Sequence, residues 1–152
     1  MEAITEQYQN LEQAIDEVRL LIERWMNEQV SLNDEAPDPQ ALRHAQLVLH
    51  EWLANLLQHA DFDGDTPNVH VHLRADNEHL YGRVIDNSNG FDLDAHLTDQ
   101  HHSAEALPER GMGLRIINAC AKDFSYVKSS DERYRFEFSI PADHDPWLSM
   151  LF

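Results

Sequence analysis

Apolar residues in the first third of the chain recur at helical spacing. From Tyr8 through Leu11, Ile15, Val18 and Ile22 to Trp25 the steps alternate between three and four, which predicts an amphipathic helix over residues 8–30. Such a stripe ordinarily packs on the domain's own core. Leu20, Leu21 and Met26 widen the apolar face beyond one stripe, which leaves room for a second contact such as a homodimer interface. SLNDEAPDPQ then interrupts the pattern. Asp38 can cap a following helix and Pro39 suits its first turn, where a missing N–H costs nothing. This second helix is expected to run to about Ala60, with Leu49, Leu53, Leu56 and Ala60 on its buried side. Glu51, Asn55 and His59 recur every four residues along it and form a separate polar stripe.

Beyond the acidic stretch DFDGDTPN the period drops to two. NVHVHLR (68–74) and HLYGRVID (79–86) read as strands, and the short joint ADNE makes them an antiparallel hairpin. Residues 87–110 are polar and irregular, long for a connection within a domain and of a length typical of lids and binding loops. GMGLRIINACAKD reads as a helix opened by glycine, with Leu114, Ile116, Ile117 and Ala121 apolar. FSYVKSS (124–130) and RYRFEFSI (133–140) form a second hairpin, turning at Asp131 and Glu132. In its last strand Tyr134, Phe136 and Phe138 alternate with Arg135 and Glu137, so one face is buried and one wet. Hairpins separated by helices predict an α+β two-layer sandwich with a mainly antiparallel sheet and helices on one face. A single domain over 1–152 is expected: a helix and linker to 38, a core over 39–141, and an apolar tail ending in Trp147, Leu148, Met150, Leu151 and Phe152.

Composition narrows the function classes. A chain of 152 residues can bury a real core without staples, and 42% hydrophobic with 26% charged residues is ordinary. The charge balance is not: 11 Lys+Arg against 28 Asp+Glu give a net charge of -17. That opposes non-specific binding to nucleic acid or an anionic membrane, and suits either a basic protein partner or a high-salt cytoplasm. Cys120 is the sole cysteine, which rules out an intrachain disulfide and a multi-thiolate zinc site. MEAITEQYQN lacks the features of a secretion signal, and no apolar run nears the roughly 18 residues of a membrane span, so a cytoplasmic protein is expected. D-F-D-G-D (61–65) begins like a calcium loop, but the required glycine is replaced by Thr66 and the bidentate glutamate by His72. His70 with His72, and His101 with His102, lack a third ligand at a telling spacing.

Three short segments carry the candidate chemistry. The first is the stripe in HEWLANLLQHA. The second is VIDNSNGFD, where a strand ends in Asp and enters a turn; the third is ERGMGLRII, a Gly-x-Gly at a helix start that could expose backbone N–H groups to a phosphate. Each alone is commonplace: a solvated helix face, ordinary turn chemistry, a glycine pair. Their order and spacing together resemble the N, G1 and G2 boxes of the GHKL ATP-binding superfamily, over roughly residues 40–140. Within it the chain is most similar to the bacterial anti-sigma factor serine/threonine-protein kinases.

The resemblance implies the Bergerat-type fold, a mainly antiparallel mixed sheet with helices on one face, and ATP with Mg²⁺ as ligands. It implies that Asn55 ligates Mg²⁺ through a hard oxygen, and that Glu51, one turn earlier, is the general base. Asp86 would accept a hydrogen bond from the adenine amino group, and Gly90 would let the chain pass close to the base. Gly111 and Gly113, with Leu114 completing their box, would cradle the phosphates under a lid of residues 93–110. His59 would support the frame. The implied activity is phosphorylation of a serine on an anti-sigma-factor antagonist by a homodimer that also binds a sigma factor. Two positions depart from the family pattern. Ser88 stands where the G1 box usually has glycine, and the final hairpin, DERYRFEF, lacks the usual Gly-Thr whose threonine helps hold the adenine-site Asp. These departures motivate an alternative, a non-catalytic module of the same fold that sequesters a protein partner.

Overall fold

The alternating and helical stretches separate into two layers. A computed structural model of the chain describes residues 3–33, 38–76, 78–91 and 112–142. In chain order the elements are β1 (Ile4–Tyr8), α1 (Leu11–Asn33), α2 (Pro39–His59), β2 (Val69–Ala75), β3 (His79–Asp86), α3 (Met112–Cys120), β4 (Asp123–Lys128) and β5 (Tyr134–Pro141). The strands form one sheet in the order β1-β2-β3-β5-β4, and every pairing among the described residues is antiparallel. The expected mixed sheet thus shows no parallel pair there. The α+β sandwich is as the periodicities predict.

β1 was not predicted. ITEQY pairs along β2 from Ile4 opposite Leu73 to Tyr8 opposite Val69. Tyr8 is therefore a buried strand residue, and its helical spacing from Leu11 is incidental. The helix begins later than expected because Asn10 caps it: the Asn10 side chain accepts a hydrogen bond from the Gln13 N–H at 3.0 Å. α2 starts where the sequence places it, with Pro39 in the first turn and the Asp38 carboxylate accepting from the Gln40 N–H at 3.2 Å.

α2 is the central helix. It packs against α1 on one side and α3 on the other, and touches β3 and β5 beneath. Leu49, Trp52, Leu53 and Leu56 of α2 are fully buried, facing Val69, Val71 and Leu73 of β2, Val84 of β3, and Phe136 and Ile140 of β5 in one core. Along β2, β3 and β5 buried and less buried residues alternate, as expected for a sheet covered on one face. Gly82 is required by the close approach of β3 to β5: a Cβ there would lie 2.1 Å from the Phe138 ring. The expected lid over 93–110 and the apolar residues of the tail lie outside the described residues.

Candidate functional site

The two polar candidates on α2 differ in burial. Asn55 is buried, and its Nδ2 has no hydrogen-bond partner among the described residues. Buried amides are normally paired, so this orphan is informative. Glu51, one turn earlier, keeps 24% of its side chain exposed and has the His50 Nδ1 at 3.7 Å. His59 is exposed, its ring centroid 5.9 Å from that of Phe91.

At the end of β3 the chemistry is reversed. Asp86 is fully buried yet well supplied with donors. Its Oδ1 accepts from the Ser88 N–H at 2.9 Å and from the Ser88 hydroxyl at 2.5 Å, while the Tyr126 hydroxyl lies 3.4 Å from Oδ2. The same Ser88 Oγ accepts from the Gly90 N–H at 3.0 Å. Burial pushes the Asp86 pKa up, and the Ser88 and Tyr126 hydrogen bonds pull it back. Tyr126 has its own pKa raised, first by burial and then by the Asp86 charge.

The turn beyond Asp86 is held from two sides. The Asn87 side chain accepts from the Asn68 N–H at 2.8 Å and donates to the Thr66 carbonyl at 3.0 Å, and the Asn89 N–H reaches the Asp61 carbonyl at 2.7 Å. Gly90 has φ +75°, and a Cβ there would sit 2.4 Å from the Tyr134 ring. Glycine is required on both counts.

Aromatic rings join the two parts. The Trp52 ring stacks on Phe136 at 3.9 Å between centroids, and it also meets Tyr126 at 4.7 Å and Phe91 at 5.5 Å. Since Trp52 lies between Glu51 and Asn55 in sequence and touches the tyrosine that reaches Asp86, α2 and the β3 turn meet at one place. Gly113 falls in the first turn of α3. Gly111 and the Leu114 side chain lie outside the described residues. Trp52 and Tyr126 were not anticipated as site residues. Trp52 gave a faint signal as the bulky neighbour of Glu51, whereas Tyr126 acts across the sheet and gave none.

Residues 8–135 match the histidine kinase-like ATPase domain family. The chain belongs to that family. A search of curated proteins found no match. Membership accounts for the antiparallel sheet with helices on one face and makes this an ATP-using type of domain, for which Mg²⁺ is the ion implied. The residues present fit that ligand pair. Asn55 offers a buried amide whose oxygen is a hard donor and whose Nδ2 has no acceptor among the described residues, Asp86 offers a carboxylate whose Oδ2 has one long contact among them, and Gly90 leaves the turn free of a side chain. Among the described residues no three His, Cys, Asp or Glu side chains gather to hold a metal, and no helix is long and apolar enough to cross a membrane.

Proposed function

We infer that this histidine kinase-like ATPase domain is a protein-serine kinase of the anti-sigma factor type. It would bind a sigma factor and phosphorylate a serine on an anti-sigma-factor antagonist, working as a cytoplasmic homodimer. The observation that carries this reading is the pairing of a half-buried Glu51 with a buried Asn55 one turn later on the same helix. Asn55 would hold Mg²⁺ through its amide oxygen, and Asp86 would orient the adenine by accepting from its amino group. Gly113 and the start of α3, with Gly111 and Leu114 before and after it, would bind phosphate through backbone N–H groups. Bound ATP-Mg²⁺ supplies the phosphoryl group and neutralises charge on it. Glu51 would take the proton from the attacking serine hydroxyl, and the rings of Trp52 and Phe91 would keep water from the site.

The test is phosphoserine formation when the chain, ATP and Mg²⁺ meet antagonist proteins of the same genome. Glu51→Ala should lower transfer at least about 100-fold, the usual worth of a general base, with ATP affinity nearly unchanged. Undiminished transfer in that variant would remove Glu51 from the chemistry. A second reading is favoured by one observation: Ser88 already gives Asp86 Oδ1 two donors without a ligand. On that reading the domain is a non-catalytic module that sequesters a protein. Calorimetry with ATP and ADP separates the two, since no heat of binding at millimolar nucleotide leaves only the module.

A further inference from the structure

The face of the sheet turned away from the helices gathers basic side chains on a strongly acidic chain. The register places Thr5, His72, Arg83 and Glu137 in one row, and His70, Ile85 and Arg135 in the next. Arg74 and His79 lie further along β2 and β3. Three arginines and three histidines thus share this face, and its acidic residues on the strands are Glu137 and Asp123. Glu137 is shared between two of the arginines, at 2.7 Å from Arg135 Nε and 3.6 Å from Arg83 Nε. On the strands alone three arginines against these two carboxylates leave one formal positive charge, on a chain of net charge -17, and Asp76 just beyond β2 lies near enough to Arg74 and His79 to feel their charge. Among the described residues no helix covers it, and Arg83 and Arg135 keep 42% and 38% of their side chains exposed. It also has apolar and aromatic surface: Val127 is 47% exposed, and Tyr81 lies half-buried beneath the Arg74 guanidinium, 4.1 Å away. The pKa of His72 reflects the same surroundings, lowered first by partial burial and then by Arg83 and Arg74.

We propose that this open sheet face, centred on Arg74, Arg83 and Arg135, is a docking surface for a short acidic segment of a partner protein. Arginine with aromatic and aliphatic neighbours is the composition of an interface centre. The choice of a short segment follows from screening. Five strands span roughly 20 Å at about 4.8 Å each, while charges are screened beyond about 8 Å at physiological salt. A short acidic peptide on the face responds to the arginines beneath it. An extended polyanion, whether nucleic acid or a membrane surface, also meets the acidic remainder of the molecule. A second copy would bring the same arginines against each other in a symmetric pairing. This surface is independent of the nucleotide site and of the activity proposed for it.

The experiment uses the full chain and a fluorescein-labelled ten-residue peptide of Glu and Asp around one Tyr, followed by anisotropy at 0.15 M salt. Binding is expected, and it should weaken at least tenfold in R83E/R135E but less than twofold in R19E/R43E. The latter makes the same charge change at exposed positions of the helical layer. R83Q/R135Q serves if the reversal variant does not fold, as judged by circular dichroism, and should weaken binding at least threefold. Lack of peptide binding by the parent chain overturns the proposal, as does equal loss in both variant pairs. So does tighter binding to single-stranded DNA or to phosphatidylserine vesicles than to the peptide, or self-association that the face variants abolish.

Discussion

Asp86 and Asn55 are both buried polar groups of the candidate site, yet Asp86 Oδ1 takes two donors while Asn55 Nδ2 has no acceptor among the described residues. Asp86 closes a strand, and the turn that follows returns donors to it within two residues. Asn55 projects from the middle of a helix whose own backbone carbonyls are already paired, so its Nδ2 finds no acceptor in that helix. The difference divides the site by origin. The β3 turn is organised by hydrogen bonds within a few residues, and the helical side holds an amide N–H open to an acceptor from elsewhere. Burying an unpaired amide N–H costs about 1–3 kcal/mol, so a ligand that brings an acceptor to Asn55 Nδ2 would recover that free energy.

The largest effect should come from the Asp86 end. Asp86→Ala removes a charge-assisted acceptor and leaves the Ser88 and Tyr126 donors without it. Hydrogen bonds to charged groups are worth about 1.5–3 kcal/mol each, so ATP affinity should fall at least about 100-fold by calorimetry. Stability in urea should fall by about 2 kcal/mol as well, since those donors are buried. A loss of affinity with unchanged stability would mean that the carboxylate is not part of the fold.

Gly90→Ala tests the same end through the backbone. The substitution puts a methyl group into the Tyr134 ring at φ +75°. A destabilisation of about 2 kcal/mol is expected in denaturant titrations, from the left-handed backbone and the displaced ring together. Asn55→Ala should behave oppositely. It deletes an Nδ2 that has no acceptor among the described residues, so the ligand-free protein should stay within about 1 kcal/mol of the parent or exceed it. ATP affinity in the presence of Mg²⁺ should nevertheless drop about tenfold, an effect of about 1.4 kcal/mol. If Asn55→Ala instead destabilises the free chain as much as Asp86→Ala, the contrast between the two ends is mistaken.

Much of this arrangement is local, and what is local was legible. The change from steps of three and four to steps of two located both hairpins and the long helices, and Asp38-Pro39 marked the start of α2. Where interactions are distant, the sequence was silent. ITEQY has too few apolar residues to declare itself a strand, and becomes one only because β2 offers an edge. The missing Gly-Thr of the last hairpin suggested that Asp86 had lost support. A hydroxyl does face it, but from β4: Tyr126 is 40 positions away and enters the site by the pairing of β4 with β5 next to β3. No spacing rule connects residues 86 and 126. Ser88 is an intermediate case, since its departure from glycine was visible whereas its two simultaneous hydrogen bonds were not.

Ser88→Gly gives the smallest effect, and the one that most directly tests how Asp86 is held. The substitution deletes the hydroxyl that donates to Oδ1 and accepts from Gly90, and keeps the backbone N–H that also donates to Oδ1. Burial already raises the Asp86 pKa above its ordinary 3.8, and Ser88 is the first of the groups that hold it down. Without the hydroxyl the folded-state value should rise further. A carboxyl that holds its proton more tightly folded than unfolded lowers stability as pH climbs from the unfolded value through the folded one. The parent and Ser88→Gly should therefore be closest in stability below the ordinary carboxylate range. They should separate as pH rises through the folded values, reaching a difference of about 1 kcal/mol near neutrality, the worth of one hydrogen bond. Subtracting the two urea-derived stability curves cancels the other carboxylates and isolates this one. A difference that does not vary with pH would assign the Ser88 hydroxyl to the Gly90 turn alone, leaving Tyr126 and the backbone to hold Asp86.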